Sequence, residues 1–333
     1  MMNNTLKNLC KVAPGTIIEG KWHHKRYTVI KELGYGANGI VYLAQHNNRH
    51  YALKMSDNGI SITSEVNVLK SFAKVQGSTL GPSLIDVDDW VRRGGNVSFY
   101  VMEYIQGPDL LSFVQQKGES WIDVLILQLL KDLEQLHMNG WVFGDLKPEN
   151  LIVNGPPPRI RCIDVGGTTI QGRAIKEFTE FYDRGYWGLG TRKAEPTYDL
   201  FAVAMILINM AYPKRFNKTT GGFEQLKSMV KQKKQLHKYE EVIFQALQGK
   251  YQTAKEMRVH FLRIMNNHGN SDVNVRQVKQ RTNTPQPKSQ KVNPIVTRQV
   301  YVKKKKKSSM LETILIVMII SFLYFIYIYG QLV

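Results

Sequence analysis

Cysteine is scarce in this sequence. There are two, Cys10 and Cys162, far apart and outside any metal-ligand spacing, which excludes a disulfide framework and a cysteine-based zinc site. A reducing compartment is the default. The opening residues, MMNNTLKNLCKVAPGT, lack an apolar stretch long enough for a secretory signal, so the body of the chain is expected to remain in the cytosol. No internal repeat is visible, which removes solenoid architectures. Acidic residues are nearly absent from one segment: residues 266–309 hold 11 Lys/Arg against a single acid, whereas residues 1–265 hold 34 against 25. The formal charge of +18 is therefore most concentrated in a short stretch.

What is present begins with size: 333 residues at 43% hydrophobic content allow one large two-lobed domain with ample core. From Met310 to Val333 the run MLETILIVMIISFLYFIYIYGQLV is long and apolar enough for the ~20 residues that cross a bilayer. Tyr324, Tyr327 and Tyr329 stand near its far end and Lys303, Lys304, Lys305, Lys306 and Lys307 flank its near end, which predicts a single-pass anchor in the cell membrane with the N-terminus inside and the C-terminus outside. The rival reading, a buried core helix, has no following sequence to bury it. With so few residues beyond the run, no external ligand-sensing domain is expected.

Residues 266–309 are rich in Asn, Gln, Lys, Arg, Thr and Pro, with Pro285, Pro287 and Pro294 opposing helix, and read as a disordered juxtamembrane linker. Upstream, short strand-like runs (YTVIKEL, GIVYLAQH, YALKM, SFYVMEYI) give way after about Gly107 to helical ones. In WIDVLILQLLKDLEQLH the residues Ile122, Leu125, Ile126, Leu129, Leu133 and Leu136 share one helical face. The expected organisation is an N-terminal extension (1–24), a domain (25–265) with a β-rich lobe to about 105 and a helical lobe from about 106, the linker (266–309) and the anchor (310–333).

Chemistry is first suggested by Leu33-Gly34-Tyr35-Gly36-Ala37-Asn38-Gly39-Ile40-Val41, a GxGxxGxV loop between two strand-like runs. Glycines let a backbone approach phosphates without Cβ clashes, and the strand-loop-strand setting disfavours the dinucleotide-binding version, which opens a helix. Alone, the motif could equally be a hairpin turn. Lys54 in YALK follows at the spacing of a third strand, and Glu65 on the next helical stretch could pair with it and aim it at a nucleotide's α- and β-phosphates.

The specific signal is Phe143-Gly144-Asp145-Leu146-Lys147-Pro148-Glu149-Asn150-Leu151, followed by Ile163-Asp164-Val165-Gly166. With these motifs the chain resembles the Hanks-type protein kinases over roughly residues 25–265. The resemblance implies an α+β, two-lobed protein-kinase fold and an ATP-dependent serine/threonine kinase. By position, Asp145 would be the catalytic base, Lys147 would steady the transferring phosphate, and Asn150 and Asp164 would hold Mg²⁺, with Mn²⁺ as an alternative. Gly34, Gly36, Gly39, Lys54 and Glu65 would serve ATP binding. Met102, Glu103, Tyr104 and Ile105 would be the gatekeeper and hinge, presenting backbone groups to adenine. Asp109 would bind the ribose, and Val41, Ala52 and Ile152 would sandwich the purine. Leu69, Phe143 and Val165 would stack between the lobes, and Asp199 would anchor the catalytic loop. Lys147, with Gly190-Thr191 ahead of Ala194-Glu195-Pro196, resembles the serine/threonine subclass, so protein hydroxyls are the expected substrates.

Three departures qualify the resemblance. Gly144 stands where most members carry the arginine that receives an activation-loop phosphate, which predicts activity independent of phosphorylation at Thr168, Thr169, Thr179 or Thr191. Val165 replaces the phenylalanine of D-F-G, and A-P-E is absent, leaving Glu195 to pair with Lys250 or another base. Glycine before the aspartate also suits small-molecule phosphotransferases of kinase-like fold. A non-catalytic scaffold is the third reading, opposed by Lys54, Asp145, Asn150 and Asp164.

The five lysines most simply enforce topology and attract anionic lipid, while Arg276, Lys279, Arg281, Lys288, Lys291 and Arg298 could instead contact DNA phosphates. The whole arrangement, with DVGGTT, FYDRGYWG, the basic linker and the bare anchor, resembles the YabT-type sporulation kinases of endospore-forming bacteria. That resemblance implies DNA as an activating partner, and homodimerisation and autophosphorylation on the membrane plane.

Overall fold

A computed structural model of the chain describes residues 9–36, 38–74, 80–92, 95–219 and 221–266. The linker and the apolar run of residues 310–333, on which the anchor, lipid and DNA expectations rest, lie outside the described residues.

The N-terminal lobe is one antiparallel sheet of β1 (Ile17–Glu19), β2 (Arg26–Gly36), β3 (Gly39–His46), β4 (Arg49–Ser56), β5 (Leu84–Arg92) and β6 (Gly95–Glu103), in the order β1-β2-β3-β4-β6-β5. Helix α1 (Gly59–Lys74) interrupts it between β4 and β5. Strand periodicity sorts the side chains between two cores. On β6, Phe99 and Val101 join Tyr27, Val29, Tyr42, Leu53 and Met55 in one apolar cluster, while Tyr100 and Met102 face the opposite way, toward Ile62, Val66 and Leu69 of α1.

Two strands were not legible as such. β1 lies inside the stretch read as an N-terminal extension. β5 alternates acids with apolar residues and looks solvated in sequence, yet Asp86 and Asp88 are buried. They survive burial because partners satisfy them: the Tyr27 hydroxyl donates to Asp86 at 2.7 Å, and the backbone N–H groups of Trp22 and His23 donate to Asp88 at 2.9 and 2.8 Å.

The helical lobe contains α2 (Leu110–Lys117), α3 (Ser120–Met138), α4 (Arg184–Trp187), α5 (Pro196–Ala211), α6 (Gly222–Gln232) and α7 (Glu240–Leu247), with further helix over residues 254–266. The face expected of α3 is the buried one, from Ile122 to Leu136. α5 is apolar on all sides and buried on all sides, the central post of this lobe. Among the described residues no helix is long and apolar enough to cross a membrane.

Two small two-stranded sheets deliver the loops that matter. β7 (Trp141–Val142) pairs with β10 (Thr169–Ile170), and β8 (Leu151–Asn154) with β9 (Arg159–Cys162). Residues 143–150 therefore hang between β7 and β8, and Asp164 follows β9, so both loops open on the same side. Both cysteines are free and buried.

Candidate active site

Between the lobes lies a cleft of about 270 Å³ lined by Leu33, Gly34, Gly36, Gly39 and Val41 of the glycine loop, by Ala52 and Lys54, by Met102, Glu103, Tyr104 and Ile105 of the hinge, and by Asn150 and Asp164, all in motifs expected there, together with Ile163 and Glu177, which were not. The β2–β3 hairpin forms its roof, closing at Gly36 opposite Gly39. Of its glycines, Gly39 is the one the surroundings dictate: its φ is +139° and an added Cβ would lie 2.2 Å from the Met55 carbonyl oxygen. At the hinge, Glu103 donates its N–H to Ser83 O at 2.9 Å and grips Arg161 with its carboxylate at 3.0 and 2.9 Å, which holds that carboxyl below its usual range. Only its carbonyl oxygen remains to face a base.

Three residues expected to serve ATP binding are not in the lining: Glu65, which acts through Lys54, and Asp109 and Ile152. Asp109 caps α2, accepting Ser112 N at 3.0 Å on one oxygen and the Ser112 hydroxyl at 2.6 Å on the other. Ile152 pairs with Asp109 in an isolated bridge, and on β8 it is Leu151 and Val153 that point into the core. Ile163 lines the cleft instead.

Beside the cleft, Lys54 Nζ meets Glu65 Oε2 at 2.6 Å, both side chains buried, and the Tyr100 hydroxyl donates to the same oxygen at 2.7 Å. Burial and the adjacent Glu65 charge drive the Tyr100 phenol well above its ordinary range, fixing it as donor. α1 is thereby docked with its carboxylate aimed at the cleft.

The catalytic loop hangs from α5. Fully buried Asp199 accepts the N–H of Phe143 at 2.8 Å and of Gly144 at 3.0 Å, and bonds His137 Nε2 at 2.8 Å, as the expected anchor. Gly144 has φ +86°, and a Cβ there would stand 2.6 Å from Gly167 O with Ile175 Cδ1 at 3.4 Å. An arginine does not fit without displacing the backbone of the following segment, which accounts for the first departure sterically. Beyond it, Asp145 Oδ2 pairs with Lys147 Nζ at 2.5 Å, and Asn150 Nδ2 donates to Asp145 O at 3.0 Å.

That use of its nitrogen leaves the Asn150 oxygen for a cation. Asp164 is exposed to the cleft, with one oxygen accepting Gly166 N at 3.0 Å. One amide oxygen and one carboxylate on a shared wall suit Mg²⁺, which takes hard oxygen ligands, few of them from protein. Val165 is buried in the same apolar core as Leu69 and Phe143, and it borders Gly81, where an added Cβ would stand 2.5 Å from Phe72 and 3.7 Å from Val165.

The segment after Asp164 adds contacts that the motifs did not indicate. Thr179 reaches the site: its hydroxyl donates to Asp145 Oδ1 at 2.9 Å and receives Lys147 Nζ at 3.2 Å. Thr191 hydrogen-bonds locally to Lys193 N. Glu195 pairs with Arg184 at 3.0 Å and Lys193 at 3.2 Å, not with Lys250, and Arg184 first and then Lys193 depress its carboxyl. Glu177, unremarked in sequence, enters the cleft, takes a hydrogen bond from Asn38 of the glycine loop, and has its carboxyl pushed up by burial and then by Asp164. Only contacts between distant segments reveal these roles; the nearest sequence signal was the hydroxyl residue within FT.

Comparison with known proteins agrees with this geometry. The protein kinase domain family matches residues 27–313. The serine/threonine-protein kinase YabT of Bacillus subtilis strain 168 is 53% identical over 337 residues, 98% of each chain. The protein kinase dsk1 of Schizosaccharomyces pombe is 32% identical over 164 residues, 45% of this chain and 30% of that one. Cyclin-dependent kinase G-2 of Oryza sativa subsp. indica is 29% identical over 217 residues, 59% and 29% of the two. The chain belongs to the protein kinase family, among the bacterial Hanks-type serine/threonine kinases close to YabT.

Proposed function

We propose that this kinase transfers the γ-phosphate of ATP to serine and threonine hydroxyls of proteins while tethered to the cell membrane, its kinase domain cytoplasmic. Asp145 orients the substrate hydroxyl and takes its proton as the oxygen bonds to phosphorus and the bridging oxygen leaves with ADP. Lys147, 2.5 Å from that carboxylate, lies where charge on the transferring group needs a cation. Lys54, aimed by Glu65, holds the α- and β-phosphates. Mg²⁺ bound through Asn150 and Asp164 would neutralise phosphate charge.

The observation that carries this reading is the hydroxyl on Asp145: Thr179 Oγ1, 2.9 Å from one carboxylate oxygen and 3.2 Å from Lys147 Nζ, occupies the kind of position an acceptor hydroxyl needs. The intact set Lys54, Asp145, Asn150 and Asp164 opposes the scaffold reading, and the steric origin of Gly144 removes the main argument for a small-molecule substrate.

The apolar run of residues 310–333 behind five lysines supports the tether, and the six basic residues from Arg276 to Arg298 support binding of DNA as a regulator, with the relative YabT as the guide to a sporulation role and to dimeric autophosphorylation. Labelled transfer by the full chain in lipid vesicles, with and without DNA at two salt concentrations, tests all of this. Phosphoserine and phosphothreonine in product, stimulated by DNA in a salt-sensitive way, are the expected results. Label on tyrosine only, or none, would overturn the substrate class; equal rates with and without DNA would remove the regulator.

A further inference from the structure

The expectation that this kinase works without an activation-loop phosphate leaves open what holds the loop and α1 instead. The segment is anchored first by backbone pairing. Gly172 N and Ile175 N donate to Ala194 O and Arg192 O at 2.9 and 2.8 Å, and Ala194 N returns a bond to Arg173 O at 2.7 Å. Ile175 is then buried with Val142, Ala194 and Tyr198, and its Cδ1 fills the space above Gly144, where a phosphate-receiving arginine would otherwise begin. An apolar side chain thus takes the place of a charged receptor.

The next residue points the other way. Lys176 Nζ donates to Ser64 Oγ of α1 at 3.1 Å and to Thr168 O at 3.2 Å. Ser64 immediately precedes Glu65, the partner of Lys54. Thr168, fully buried, closes the turn that starts at Asp164, its N–H bonded to Val165 O at 3.0 Å. A single ammonium group therefore joins the helix that aims Lys54 to the turn that carries a metal-binding carboxylate. Among the described residues Lys176 forms no ion pair; its exposed ammonium makes these two hydrogen bonds, one to each side of the bridge.

We propose that Lys176 is a positioning residue that locks α1 in its docked place, performing with a built-in cation the work that an arginine-phosphate contact performs in phosphorylation-dependent kinases. Lys176 is not part of the lining of the nucleotide cleft, although it borders the neighbouring hollow with Asp145 and Lys147, so its assigned effect runs through α1. This rests on the phosphorylation-independent reading above, and it names the residues responsible.

The test uses the full chain in micelles, freed of phosphate and checked by intact mass, as Lys176→Met, Lys176→Arg, Ser64→Ala and the Met/Ala double variant. For Lys176→Met, turnover falls about tenfold, the size of one charge-assisted hydrogen bond. Amide exchange over residues 59–74 accelerates while exchange over α5 stays as in the parent. Lys176→Arg restores most of both, and the double variant is no worse than Lys176→Met alone, because the two side chains share one contact. Unchanged exchange in α1 with unchanged turnover would overturn the lock. Accelerated exchange throughout α5, unrelieved by arginine, would also overturn it by making Lys176 a residue of general stability. If the parent itself is inactive until phosphorylated, the phosphorylation-independent reading fails separately, since the exchange comparison reports on α1 in phosphate-free protein either way.

Discussion

Substituting alanine for Gly144 adds one carbon and should cost the kinase much of its activity. The backbone at φ +86° lies in the left-handed region, where a Cβ costs about 1–2 kcal/mol. The new Cβ would stand 2.6 Å from Gly167 O, well inside the contact of 3.4 Å at which ordinary packing begins. Relief by rotating residue 144 is blocked because its N–H is bonded to buried Asp199 at 3.0 Å. Relief by moving Gly167 disturbs the turn between Asp164 and Thr168 and the bond that Gly167 O accepts from the Thr169 hydroxyl at 2.8 Å. Strain and lost bonding together come to about 2–4 kcal/mol. At roughly 2–4 °C per kcal/mol for a domain of this size, the melting midpoint should fall by about 5–15 °C. Circular dichroism melts of the full chain, with initial rates of labelled transfer measured well below the midpoint, supply both numbers. A midpoint within about 1 °C of the parent and a rate within about twofold would refute the steric account of this glycine.

Further outcomes follow from the same contacts. Asp199→Asn keeps shape but loses one acceptor among the N–H groups of Phe143 and Gly144 and the His137 ring, so stability should drop by about 1–3 kcal/mol and turnover with it; an unchanged melt would count against the anchor. Glu65→Gln leaves the Lys54 ammonium buried without its counter-charge, and a loss of about 3 kcal/mol corresponds to roughly a hundredfold in kcat/KM for ATP, measurable by initial rates. Asp132 on α3 is pushed up by burial from 3.8 to about 6, so its carboxyl favours the fold below pH 4 and penalises it increasingly as pH rises to 6. Asp132→Asn should accordingly raise the melting midpoint at pH 8 and show little difference at pH 4; a gain independent of pH would contradict this.

The fold was legible where local pattern and lobe order agree. The face of α3 can be read from its spacing of leucines and isoleucines, and the catalytic loop from D-x-K-P-E-N, because each is fixed by residues close in sequence. β5 was hidden by acids whose partners, Tyr27 and the turn at Trp22, come from some 60 residues earlier. Gly190-Thr191 was read as a mark of subclass, whereas the contact with Asp145 comes from Thr179, in a segment held by the pairing of residues 172–175 with 192–194. Asp109 was matched by position, yet its place at the start of α2 makes it a helix cap. Glu177 and Lys176 carry no motif, and their roles exist only through side chains from the glycine loop and α1.

The most direct measurement of the central claim is γ-phosphate transfer by Asp145→Asn beside the parent, with ATP affinity measured on both. Asp145 lies outside the lining of the nucleotide cleft, and asparagine preserves its size, so ATP should bind the variant as it binds the parent while phosphorylation of serine and threonine falls by orders of magnitude. Transfer by the Asp145→Asn variant at the parent rate would contradict the assignment of Asp145 as the base and, with it, the account of how this kinase works.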